Sequence, residues 1–387
     1  MFANRIKTAT VLLSILALIA IACKKTKDAN GATDDILANY LNLPTDPFNY
    51  SNPTLPAHMN APNVVGQINT PAGNAISNWG ATLGRVLFYD KNLSINKTIS
   101  CASCHKQAAA FSDPVVKSTG FNGGLTGRNS MSLINAKYYP NGRFFWDQRA
   151  ATLEAQTLIP VQDMVEMGMT LTELETRLKT LPYYPVLFSK AFGDENITSN
   201  RIALALSQFV RSIISYQSKY DAGRAAFTGP PPPPDQAFAN FTAQENRGKE
   251  IFLGPIGGCA PCHGSETFTA PLEKNNGLDM MTVDRGFGAV TNTVANDALF
   301  KVTTLRNVEM TAPYMHDGRF ATLEQVVEHY SSGVQNHPNL SPQLRLPNGN
   351  PRQANLSAAD KAALVAFLKT LTDVTVTTDV KFANPFK

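Results

Sequence analysis

Cys101-Ala-Ser-Cys104-His105 and Cys259-Ala-Pro-Cys262-His263 repeat one pattern, two thiols followed at once by an imidazole, and they use four of the five cysteines. Each pair of thiols can add to the two vinyl groups of one porphyrin, while the next residue sets an imidazole under the iron. A C-x-x-C alone would also fit a redox disulfide or half of a zinc site. The adjoining histidines and the lack of a spare cysteine argue against both. The sequence therefore predicts two covalently bound haem c groups, one on Cys101, Cys104 and His105, the other on Cys259, Cys262 and His263.

The fifth cysteine speaks to location. Residues 1–22 carry Arg5 and Lys7, then an apolar run ending in Ala20-Ile21-Ala22 just before Cys23. That reads as a secretory signal of lipoprotein type, with Cys23 lipidated and the protein periplasmic, anchored to a bacterial membrane. The alternative, an uncleaved anchor, is disfavoured because the run is short for a span. Removing Arg5 and Lys7 takes the formal charge from +4 to +2. The propionates of two haems would bring the holoprotein to about neutral, so no nucleic-acid partner is expected.

At 387 residues, 43% of them hydrophobic, the chain can build two compact domains. Residues 23–75, rich in Asn, Pro and Thr, read as a tether and irregular lead-in, with His58 at the surface. Pro230 to Pro234 follow Gly229 and break any helix, so 230–235 reads as a linker between domains 76–229 and 236–387. Trp79, Leu83, Val86 and Leu87 recur at helical spacing, as do Ile202, Leu206, Phe209, Val210 and Ile213. Thr170-Leu-Thr-Glu173, Thr242-Ala-Gln-Glu245 and Thr322-Leu-Glu-Gln325 read as capping boxes, and a last helix is expected from Ser357. The expected fold is mostly α, with two cytochrome c-like domains.

A resemblance then becomes specific. Leu83-Gly-Arg-Val-Leu-Phe-Tyr-Asp90, Leu93-Ser94, Gly127-Arg128-Asn129-Ser130, Phe145-Trp146-Asp147 and Val165-Glu166-Met167 are similar to stretches of the bacterial diheme cytochrome c peroxidase family, which includes MauG. So are Phe300-Lys-Val-Thr-Thr-Leu-Arg-Asn307 and Ala312-Pro-Tyr-Met-His-Asp-Gly318. The similarity runs from about residue 77 to 372.

Peroxide cleavage needs an open iron, a proton carrier and electrons. The resemblance makes Glu166 the carrier, with its pKa raised in an apolar pocket, and Gln156 a distal-pocket neighbour. Many relatives hold a blocking histidine after the first motif. Here no histidine lies between His105 and His263, and Phe121 stands near the expected place. The first haem is thus expected to be open unless a residue such as Met131 reaches it. For the second haem, Met315, His329 and Tyr330 compete as the distal ligand. Helical periodicity turns Tyr330 inward with Leu323, Val326 and Val327, and His329 toward the polar side. Tyr330 is preferred, with Met315 as runner-up and a merely packed tyrosine as the plain alternative.

The resemblance also implies a bridging role for Trp146, within an inserted loop that supplies Gln156 and Glu166, and a place beside the second haem for His316. Arg149 is expected to pair with a propionate. Asn129, Thr311 and Pro313 match a calcium site, and a homodimer is implied. The activity expected is reduction of hydrogen peroxide by electrons from a small donor, a cytochrome c or copper protein. A MauG-like oxidase acting on a protein partner and a plain diheme electron carrier are the alternatives.

Overall fold

The computed structural model describes residues 33–387, so the stretch read as an export signal and Cys23 lie outside the described residues. Those residues form helices and turns with only isolated β-bridges and no sheet, as the mostly α reading requires. Seven helices position the sites: α1 (Asn78–Tyr89), α2 (Leu153–Gln162), α3 (Tyr183–Phe192), α4 (Ser199–Ser212), α5 (Ala243–Leu253), α6 (Leu323–Glu328) and α7 (Ala358–Lys369).

Each half is organised around one helix crossing. In α1, Gly84 touches α4 so closely that a methyl group there would overlap the Ala205 carbonyl oxygen. In α5, Gly248 does the same against Ala363 of α7. The absent Cβ lets the two backbones meet, and the apolar stripes interlock on either side. Leu83, Val86 and Leu87 of α1 bury against Ile202, Leu206 and Phe209 of α4. Phe252 of α5 packs with Leu364, Phe367 and Leu368 of α7. Thr198, Thr242 and Ser357 cap α4, α5 and α7, each accepting a bond from the backbone three residues on.

The halves repeat further. Phe145-Trp-Asp-Gln-Arg-Ala-Ala-Thr-Leu-Glu154 corresponds to Met315-His-Asp-Gly-Arg-Phe-Ala-Thr-Leu-Glu324. Both stretches close a bridged turn, Phe144 with Ala150 and Tyr314 with Phe320. Both place their first residue in the left-handed region, Phe145 at φ 69° and Met315 at φ 76°. Both then open a helix capped by threonine, Thr152 for α2 and Thr322 for α6. Trp146 thus belongs to an element common to the two halves, not to an insertion. The expectation of an inserted loop is thereby confined to the turn beyond α2 that carries Glu166.

The packing also departs from the expected boundaries. Residues 33–40 are helical, and Leu37, Leu41 and Tyr50 are buried in the first core, so the lead-in is structural rather than a tether. Its apolar residues are too sparse among Asn and Pro to show a period. Val376 and Phe382 also close the first core, although they follow α7 in sequence. Conversely, Tyr220 lies before the proline run yet packs in the second core. His58 is not a surface residue: it is buried, with Nε2 2.7 Å from Asp221 Oδ1. His337, in a similar Pro- and Asn-rich stretch, is buried too.

Candidate haem sites and active site

Each C-x-x-C-H motif forms a short helical turn, Cys101–Cys104 and Ala260–His263, at the wall of a cavity. All four thiols are unpaired. Burial pushes the Cys101 and Cys259 thiols up to about 12, which keeps them neutral. His105 Nδ1 donates to the Phe111 carbonyl at 3.0 Å, and His263 Nδ1 donates to the Phe268 carbonyl at 2.8 Å. Both acceptors sit in the left-handed region, φ 56° and 52°. This fixes each ring with Nε2 free, the arrangement a metal-binding histidine uses. Burial lowers the pKa of both imidazoles and so favours the neutral, ligating form. Two thiols, one oriented imidazole and an adjoining cavity fit one haem c in each half.

The first cavity, about 470 Å³, is bounded by His105, Met131, Trp146, Gln156, Pro160 and Glu166. Glu166 is half-buried, and burial, reinforced by nearby Asp163 and opposed by Arg149, pushes its carboxyl up to about 6. Its backbone is held from both sides: the N–H donates to Asp163 Oδ1 at 3.1 Å, and the carbonyl accepts from Phe121 at 2.9 Å. Gly120 makes this contact possible, since a Cβ there would overlap the Val165 carbonyl. The Phe121 ring packs on Gly168, so it braces the Glu166 turn. The Met131 backbone contacts the His105 imidazole, which puts this residue on the proximal side.

The internal repeat sets Pro160 opposite Tyr330, counting from Leu153 and Leu323. Proline offers no side-chain donor to a metal. The first cavity therefore lacks a ligating side chain where the second has a phenol.

The second cavity, about 240 Å³, is bounded by His263, Met315, Tyr330 and the apolar side chains of Phe252, Leu323 and Leu364. Both candidate ligands meet one amide: Asn276 Nδ2 lies 3.4 Å from Met315 Sδ and 3.4 Å from Tyr330 Oη. Burial pushes the Tyr330 phenol up to about 12, and the Asn276 bond pulls the other way. The periodicity reading fails for His329, which is buried with Nε2 3.0 Å from the Asn276 carbonyl. The cause is local: α6 runs into a π-helical turn, His329–Gly333, which resets the register so that His329 and Tyr330 both turn inward.

Trp146 and His316, equivalent in the repeat, stand in the wall between the cavities. Trp146 lines both, and its Nε1 donates to the Asn129 carbonyl at 2.8 Å. His316 stacks on Phe300 at 3.8 Å and lines the second cavity. Asn129, Thr311 and Pro313 share the second cavity's wall, and none of them is a carboxylate. A cation among them would rest on neutral oxygens alone. Arg149 is already engaged, 3.1 Å from Asp147 and stacked on Phe145 at 3.6 Å, so the expected propionate partner has protein partners of its own.

The comparisons agree with this geometry. The sequence model for di-haem cytochrome c peroxidase matches residues 79–226. The methylamine utilization protein MauG of Methylorubrum extorquens is 32% identical over 303 residues, 78% of this chain and 80% of the relative. The chain belongs to the di-haem cytochrome c peroxidase and MauG family. Cytochrome c551 peroxidase of Nitrosomonas europaea is 32% identical over 296 residues, 76% of this chain and 79% of that protein. A crystal structure of a MauG-like protein associated with microbial copper homeostasis superposes with TM-score 0.73 at 31% identity, covering 84% of this chain and 98% of that one. Membership implies two haem c groups and an oxidoreductase. Among the described residues, no helix is long and apolar enough to cross a membrane.

Two site residues escaped the sequence reading. Asn276 lies in a loop with no motif, and Lys301, which lines both cavities, was quoted only as part of a resemblance. Only the fold brings them to the haem walls.

Proposed function

We propose that this chain reduces hydrogen peroxide to water at the first cavity, with electrons entering through the second half from a small exported donor such as a cytochrome c or copper protein. The observation that carries the reading is Glu166, a carboxyl of pKa about 6 lining the same cavity as His105. Bound haem would supply the redox-active iron needed to break an O–O bond. Glu166 takes the proton from one oxygen of peroxide and returns it to the other as water leaves, a double duty suited to a group half-protonated near working pH. Gln156 can hold the peroxide oxygens by its amide, and Pro160 leaves the space unblocked. Two electrons and two further protons complete the conversion to two waters. Trp146, in the shared wall, is the residue through which electrons cross.

A second reading rests on Tyr330. A phenol in the second cavity favours higher oxidation states over electron entry at high potential, as an oxidase acting on a protein partner would need. Steady-state assay with peroxide and a reduced cytochrome c separates the two: rapid donor oxidation supports the peroxidase, and slow turnover with normal peroxide consumption supports the oxidase. The setting proposed with either is the periplasm, with lipid on Cys23, calcium at Asn129, Thr311 and Pro313, and pairing of two protomers. Globomycin-sensitive processing, metal analysis after chelation and sedimentation would test these in turn.

A further inference from the structure

Lys301 is a buried amine without a counter-ion. Its side chain is buried between the rings of Tyr139 and Phe144, with Nζ 3.7 and 4.4 Å from their centroids. The one hydrogen-bond acceptor near it is the Arg143 carbonyl, at 3.5 Å. Among the described residues, no carboxylate comes within ion-pair distance of it. The arginines of the same wall differ: Arg128 is bonded to Asp147 at 2.6 Å and to Asp284 at 2.7 Å, and Arg149 to Asp147.

A buried ammonium with no anion is several kcal/mol worse than one in water, and proteins keep such groups only where something pairs with them. Cation–π contact with two rings recovers part of this. An anion would supply the remainder, and Lys301 lines both cavities where one can enter, with the rings that hold its Nζ lining the first. It is also tied to the wall itself, because its N–H donates to the Trp146 carbonyl at 2.8 Å.

We propose that Lys301 is the shared counter-ion of the two haems, pairing with porphyrin carboxylates from both cavities and so tuning the two groups together. This rests on two bound haems but not on peroxide turnover. Burial alone brings the Lys301 amine down to about 7 in the protein without its anions, which fits a group whose charge is completed by the bound cofactor. A carboxylate beside it restores the charged form.

The test is spectroelectrochemical titration of the holoprotein and of Lys301→Gln, Lys301→Met and Lys301→Arg. Haem attachment by thioether bonds keeps both groups in place. Loss of the buried positive charge stabilises the oxidised iron, so the Gln and Met variants should lower both midpoint potentials. The expected change is about tenfold in each reduction equilibrium, or about 59 mV for a one-electron couple. The Arg variant should stay near the wild-type values. Met fills the same apolar slot, so a folding defect of the Gln variant alone does not decide the matter. Unchanged potentials in the Met variant, or a shift of one haem only, would overturn the proposal. Loss of peroxidase activity with both potentials unchanged would count against Lys301 but leave the proposed reaction standing.

Discussion

Trp146 and His316 occupy equivalent places in the two halves and face each other edge to face, with ring centroids 6.4 Å apart. The duplication therefore does more than build two similar pockets. It brings the same element from each half to one wall, where one copy has become an indole that touches both cavities and the other an imidazole stacked on Phe300.

Glu166→Gln should keep both haems and the fold but lose about 10²- to 10⁴-fold in peroxide turnover. The acidic limb of the pH–rate profile, with an apparent pKa about 6, should vanish with it. The stability sign follows from the same shift. Burial raises the folded pKa above the ordinary 4.5, so the contribution is present below that value and is lost as pH rises through about 6. Thermal melts across this range should show a slope that the variant lacks; near-wild-type turnover would remove Glu166 from its role.

Tyr330→Phe should change the low-spin spectrum of the second haem, while Met315→Leu should leave it nearly intact. Electron paramagnetic resonance of the oxidised proteins reads both. The reverse pattern would assign the ligand to Met315, which shares the Asn276 amide with the phenol.

Asp221→Asn should cost about 3–5 kcal/mol, because Arg306 would be left buried and half-paired. Burial alone would raise the Asp221 pKa, but Arg306 at 2.8 Å and the bonds from His58 and Ser218 hold it well below the usual carboxylate range. Its contribution is therefore present at neutral pH and is lost as pH falls through the acid range. Chemical denaturation at pH 7 and near pH 2 should show the variant's deficit shrinking at the lower pH, because the contribution is lost only below the ordinary Asp value of 3.8.

Gly248→Ala should destabilise by about 1–3 kcal/mol or more, since the added methyl meets the rigid Ala363 backbone at the α5–α7 crossing. Gly73→Ala, where nothing lies within 4 Å, serves as the control and should be close to neutral. Equal melting temperatures for the two would contradict the close crossing.

The haem turns and main helices were legible because their signals are local: a fixed C-x-x-C-H spacing, apolar stripes and threonine caps. Glu166 and Trp146 needed resemblance, since a lone carboxylate or indole carries no period. His58, His329, Asn276 and Lys301 were misread or passed over for two physical reasons. Their roles come from partners distant in sequence, such as Asp221 for His58, or from a break in helical register, as at His329. No window of sequence contains such information.

The return of the chain to its first half sets an order of assembly. Tyr50 and Arg85 bond to the carbonyls of Lys381 and Ala383, Tyr89 to that of Phe382, and Leu41 bridges Phe386. Synthesis proceeds from the N-terminus, so Cys101 and Cys104 are made well before the segment that seals the core beneath them. The first half cannot finish folding by itself while the second is still emerging. Residues 376–386 are thus the last part of the first core to be made, long after both of its thiols.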